Sequence, residues 1–105
     1  MGFLNIFKQP DINAGVEQFQ ETDNAVLIDV RTEGEYRSGQ IEGSINIPLQ
    51  NISDVQGRIK EQNTPIFVYC LSGARSAKAG SVLKTMGYTN VTNIGGINRY
   101  RGKVV

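Results

Sequence analysis

Cys70 is the one cysteine of the chain, and Arg75 follows it five positions later. Between them lies a small turn, Leu71-Ser72-Gly73-Ala74, and Ser76 comes directly after. A cysteine does chemistry as its thiolate, and helix N-termini and nearby arginines can lower its pKa from about 8.5 to roughly 3.5–7.5. This stretch can supply both influences. Gly73 can take a positive φ that closes the turn and points successive N–H groups inward as an anion nest. A helix opening near Arg75 or Ser76 adds first-turn N–H groups that have no partner within the helix, together with its partial positive charge. Arg75 can hold an anionic substrate through its two-pronged guanidinium. The chain has no histidine, which removes Ser-His-Asp and Cys-His catalysis and the commonest zinc ligand. Any activation of Cys70 must therefore come from the backbone nest and Arg75. The competing reading is that Cys70 is a small buried apolar residue ending a strand. Its position at the strand end, before a Gly and Arg turn, favours function.

The surrounding elements put Cys70 where ligands collect. "PIFVYC" (65–70) and "AVLIDV" (25–30) are nearly continuous apolar runs, the pattern of strands buried on both faces. Asn13 is positioned to cap a first helix carrying Val16 and Phe19 on one side. Thr32 and Glu35 have capping-box spacing. "SINIP" reads as a brief strand stopped by Pro48, and Ile52, Val55 and Ile59 share one helical face. Ala79, Val82, Leu83 and Met86 form an apolar stripe, with Gly87 where a C-terminal cap belongs. "NVTNI" is a last short strand, broken by the tight turn of Gly95-Gly96. Strands thus alternate with helices in the order β-α-β-α-β-α-β-α-β-α, an α/β domain with helices on both faces of a mostly parallel sheet. In such sheets ligands bind at the carboxyl ends of the strands, where Cys70 lies.

With 105 residues the chain makes one domain, 1–105, in which 1–10 form a short N-terminal extension. A chain of this size buries roughly two-thirds of its unfolded surface and needs neither disulfide nor metal to fold. Eleven basic against ten acidic residues is too balanced for a dedicated nucleic-acid binder. No apolar run approaches the ~20 residues of a membrane helix. "MGFLNIFKQPD" lacks a signal peptide's basic start and cleavage pattern, and Ile6 stands where myristoylation wants Ser or Thr. The expected location is the cytoplasm.

Three blocks carry a family resemblance. "CLSGARS" (70–76) resembles the C-x-x-G-x-R-S active-site loop of single-domain rhodanese-type sulfurtransferases. "LIDVRTEGEYRSGQIEGSINIPL" (27–49) resembles the family's upstream DVR-x-x-x-E block, and "VTNIGGINRYRGKVV" (91–105) its closing segment. The resemblance runs from about Asp11 to Val105. It implies the rhodanese fold, a five-stranded parallel sheet flanked by helices, and ping-pong sulfur transfer through a Cys70 persulfide. Leu71, Ser72, Gly73, Ala74, Arg75 and Ser76 would then form the substrate-binding loop, with the N–H groups of Leu71 to Arg75 holding the persulfide anion. A thiosulfate-like anion would be the donor, and cyanide, a thiol or a thioredoxin-like protein the acceptor. No metal or organic cofactor is implied, and a monomer or weak dimer is expected.

The chain departs from the family pattern at Gln40, where histidine is usual, and at Tyr100, where tryptophan is frequent. Asp29 and Arg31 match the family's D-x-R, and a supporting ion pair or capping network is expected of them. Arg99, Arg101 and Lys103 make a small basic cluster, read as a solvated tail in preference to a surface steering anions inward. Two other functions compete. A Cys-based phosphatase or arsenate reductase on the related fold needs C-x-x-x-x-x-R, but position 76 is serine. A binding or sulfide-sensing module would keep the fold without turnover, but degenerate relatives usually lose the cysteine that this chain retains.

Overall fold

The two continuous apolar runs form the middle of the sheet. β1 (Val26–Asp29) and β3 (Ile66–Cys70) pair in parallel, Val26 opposite Ile66 and Asp29 opposite Tyr69. β2 (Ser44–Asn46) lies outside β1 and β4 (Val91–Gly96) outside β3, giving the order β2-β1-β3-β4 with every pairing parallel. The structure, a computed structural model, describes residues 10–105. The readings of residues 1–9, including most of the N-terminal extension, lie outside the described residues. Among the described residues four α-helices flank the sheet: α1 (Ile12–Glu21), α2 (Glu33–Arg37), α3 (Val55–Arg58) and α4 (Ala74–Thr85).

Side chains alternate along the strands, so the sheet has a core on each face. On one face Ile28, Val30, Val68 and Cys70 pack with Ile52, Val55, Ala79 and Leu83. On the other, Leu27, Phe67 and Tyr69 pack with Ile12 and Val16 of α1 and with Ile94. Cys70 and Tyr69, adjacent in sequence, thus belong to opposite cores.

The structure corrects several expectations. Among the described residues the sheet has four strands, not five, and the first element is α1. Near the chain end, Val104 makes only a single antiparallel bridge to Ile41, beside reciprocal backbone bonds between Gln40 and Val105. The turn at Glu42-Gly43, closed by Ser44 N–H on the Ile41 carbonyl, stops that bridge from growing. α1 is capped by Asp11, whose carboxylate accepts from the N–H groups of Asn13 and Ala14. Asn13 instead holds the chain end, donating to the Arg99 carbonyl and accepting from Arg101 N–H. The segment carrying Ile52, Val55 and Ile59 is a 3₁₀ helix (Leu49–Asp54), kinked at Asn51, that runs into α3, and all three residues are buried. β4 continues through Gly95-Gly96 with a bulge: Asn93 faces Val68, but Gly95 already faces Tyr69.

Other local signals appear as read. Thr32 and Glu35 form a reciprocal capping box. α4 ends in a Schellman motif, with Gly87 N–H on the Lys84 carbonyl and Tyr88 N–H on the Leu83 carbonyl.

Candidate active site

β3 ends at Cys70, and the chain needs only three residues before α4 begins at Ala74. Gly73 makes this possible. Its φ of 106° is open to glycine and strained for other residues, and it occupies the N-cap position of α4. The turn folds back over the sulfur. Gly73 N–H donates to Cys70 Sγ at 3.1 Å and Ser76 N–H at 3.3 Å, while Ser76 Oγ lies 3.5 Å away and accepts from the thiol.

Two effects oppose each other at this sulfur. Burial, with Cys70 only 1 % exposed, pushes the thiol up. Hydrogen bonds from the hydroxyl and N–H of Ser76, then from the N–H groups of Gly73 and Ser72, favour the anion. The hydrogen bonds prevail, and the thiol lies below its ordinary value.

The double glycine of β4 lets the turn sit this close. A Cβ on Gly96, which pairs with Cys70, would fall 2.2 Å from the Leu71 carbonyl oxygen and 2.6 Å from Ser72 Cα. Leu71's carbonyl also accepts from Asn98 N–H at 3.1 Å, leaving the Leu71 side chain 45 % exposed at the tip of the turn.

Arg75 is placed differently from the sequence expectation. Both prongs of its guanidinium rest on Glu35 of α2, at 2.8 Å and 3.0 Å, so its fork holds a protein carboxylate and not an open substrate position. Arg75, joined by the Thr32 N–H, lowers the Glu35 carboxyl to about 2. The guanidinium still interacts electrostatically with Cys70.

Asp29, the last residue of β1, and Arg31 form a buried ion pair. The guanidinium meets both carboxylate oxygens, at 2.7 Å from Nη2 and 3.0–3.1 Å from Nε. Nη2 also donates to the Gly39 carbonyl, and the guanidinium carbon lies 5.9 Å from the centre of the Tyr69 ring. Asn46 donates to the carbonyls of Asp29 and Arg31, tying β2 to the same rim. Among the described residues no hydrogen bond joins this pair to Cys70 or its turn, so it braces the rim on which the turn stands. At the first family departure, Gln40 donates to the Tyr36 carbonyl near the end of α2. At the second, Tyr100 packs against the α1-side core.

Two residues matter more here than their sequence context indicated. Glu35 read only as part of a helix cap. Asn93 accepts from the Ser76 hydroxyl at 2.6 Å and from Gly95 N–H at 3.0 Å. The signal for Asn93 was an asparagine inside a strand, where that residue is disfavoured.

A groove of about 470 Å³ runs beside the turn, lined by Ser72, Gly73, Ala74, Asn93, Gly96 and Arg99. Arg101 lines an adjoining hollow of about 300 Å³, while Lys103 is exposed near the chain end. Among the described residues no group of three or more His, Cys, Asp or Glu side chains is arranged to hold a metal, and no helix is long and apolar enough to cross a membrane.

The chain has counterparts among known proteins. The model of the rhodanese-like domain family matches residues 13–103. Thiosulfate sulfurtransferase PspE of Escherichia coli is 38 % identical over 71 residues, covering 67 % of this chain and 68 % of that protein. Thiosulfate sulfurtransferase 18 of Arabidopsis thaliana is 40 % identical over 83 residues, covering 66 % of this chain and 60 % of that one. Among solved structures, a rhodanese with anions from E. coli superposes with a TM-score of 0.72 at 34 % identity, covering 77 % of this chain and 96 % of that one.

Proposed function

Because the chain belongs to the rhodanese-like domain family, we propose that it is a sulfurtransferase that carries a sulfane sulfur on Cys70. The observation that carries this reading is the pair of backbone N–H groups, Gly73 at 3.1 Å and Ser76 at 3.3 Å, aimed at one buried sulfur.

In the first half-reaction the Cys70 thiolate attacks the outer sulfur of a thiosulfate-like donor. A new S–S bond forms on Cys70, the donor's S–S bond breaks, and sulfite leaves with its electron pair. The product is a persulfide anion, whose terminal sulfur needs donors of the kind the turn from Leu71 to Arg75 presents. In the second half-reaction a thiolate or cyanide takes that terminal sulfur and Cys70 leaves as thiolate. Each step passes a negative charge through the same cradle and needs no general base, consistent with a chain that has no histidine.

Intact-protein mass spectrometry after thiosulfate treatment tests the reading. Wild type gains the mass of one sulfur and loses it to cyanide, while Cys70→Ser gains nothing. A wild-type Cys70 left unmodified by a range of sulfur donors would count decisively against it.

A further inference from the structure

The hydroxyl of Ser76 has one proton and more than one claimant. Ser76 Oγ lies 2.6 Å from Asn93 Oδ1, a short O–H···O contact, and 3.5 Å from Cys70 Sγ. The remaining acceptors, the carbonyls of Gly73 and Gly95, lie at 3.1 Å and 3.5 Å. While the sulfur is a thiol, the chain closes on itself: Cys70 donates to Ser76 and Ser76 donates to Asn93. Once the sulfur is an anion it has no proton to give, and the hydroxyl can serve either the sulfur or Asn93, but not both.

We propose that Asn93 competes with the Cys70 sulfur anion for the hydroxyl proton of Ser76, and thereby sets how strongly the cradle holds that anion. Asn93 is then a positioning residue acting through Ser76. The inference rests on the reading of Cys70 as a working thiolate. It also gives β4 a reason to carry asparagine beside the turn: a sulfur held too strongly is a poorer nucleophile, since nucleophilicity falls as thiol pKa falls. The Asn93 oxygen is fixed for this task by Gly95 N–H at 3.0 Å, a bond made two residues ahead in the bulge. Arg75 on α4 is the cation that interacts with the sulfur, and Glu35 on α2 and Asp29 at the end of β1 are the anions acting on Arg75. None of these charges changes in an Asn93 variant.

The test is the pH profile of Cys70 alkylation by iodoacetamide in the full chain. Asn93→Ala releases the hydroxyl to the sulfur and moves the profile down by about one pH unit, the scale of one hydrogen bond to a charged group. Asn93→Ser keeps an oxygen for Gly95 N–H but, one bond shorter, withdraws it from Ser76, and shifts the profile the same way. Ser76→Ala moves it up, and adding Asn93→Ala to Ser76→Ala moves it no further. In steady-state sulfur transfer the Asn93 variants change kcat more than KM. An upward or absent shift in both Asn93 variants, or an equal shift without the Ser76 hydroxyl, overturns the proposal. A wild-type profile at the ordinary thiol value would instead overturn the reading of Cys70 beneath it.

Discussion

The guanidinium of Arg75 closes on both carboxylate oxygens of Glu35, forty residues away, and joins the start of α4 to α2. Glu35 is itself held by the N–H and hydroxyl of Thr32, so the ion pair ties the cradle to a helix cap. Arg75 therefore fixes the first turn of α4 and acts on the Cys70 sulfur through its charge.

This pair gives a signed dependence on acid. The folded pKa of Glu35, about 2, lies below its ordinary value of 4.5, so the folded state binds fewer protons there. Its contribution is complete above about pH 4.5 and disappears as pH falls towards 2. Glu35→Gln should cost about 1 kcal/mol at neutral pH, the upper end for a partly exposed pair. The gap between wild type and variant in urea denaturation should close steadily from pH 4.5 to 2. A gap that stays constant over that range would refute the assignment.

Asp29 is fully buried and Arg31 nearly so. Asp29→Asn keeps the shape but leaves the guanidinium unneutralised, which should cost about 3–5 kcal/mol. Replacing both at once, Asp29→Leu with Arg31→Met, should cost less than Asp29→Asn alone, because no charge is then stranded. Guanidinium chloride denaturation of wild type and the two variants checks the order, and a double variant less stable than Asp29→Asn would contradict it.

Gly96→Ala puts a methyl group into the backbone of the turn at Leu71 and Ser72. The expected loss is at least ~2 kcal/mol of stability, with slower Cys70 alkylation because the cradle must shift. Gly57 is the control. It sits in α3 with open space around its Cβ position, and Gly57→Ala should add roughly 0.5–1 kcal/mol. Thermal melts that rank the two variants the other way would rule out this account of the double glycine.

The sulfur's surroundings predict a half-maximal alkylation rate at a lower pH than that of an ordinary cysteine. Gly73→Ala should raise that value, because its φ of 106° is strained for alanine and the Gly73 N–H then leaves the sulfur. Rate against pH for wild type and variant decides it; coincident curves would show that the Gly73 N–H has no part in holding the anion.

Much of the frame was legible without coordinates. The apolar runs of β1 and β3, the Thr32–Glu35 box, the α4 stripe with Gly87, and a positive φ at Gly73 all follow from neighbours within a few positions. Periodicity, caps and turn conformations act over that distance, and the sequence displays them directly. The order Cys70, turn, Arg75, Ser76 carried the site for the same reason: strand end, nest and helix start are consecutive.

What the sequence left open depended on residues far apart in the chain. Asp11 and Asn13 are both good helix caps. Asn13 was the expected cap of α1, but Asp11 takes that place and Asn13 bonds to Arg99 and Arg101, 86 and 88 positions away. The bulge that turns β4 under Leu71 and Ser72 is a matter of register against β3. The partner of Arg75 lies 40 positions off, and that of the Ser76 hydroxyl 17. The sequence by itself determined that a cysteine would stand in a backbone nest at a strand end. Only the packing of α2 and β4 around α4 decided which side chains meet that nest, because hydrogen bonds at 2.6–3.0 Å are set by how whole elements dock, and no local pattern encodes that.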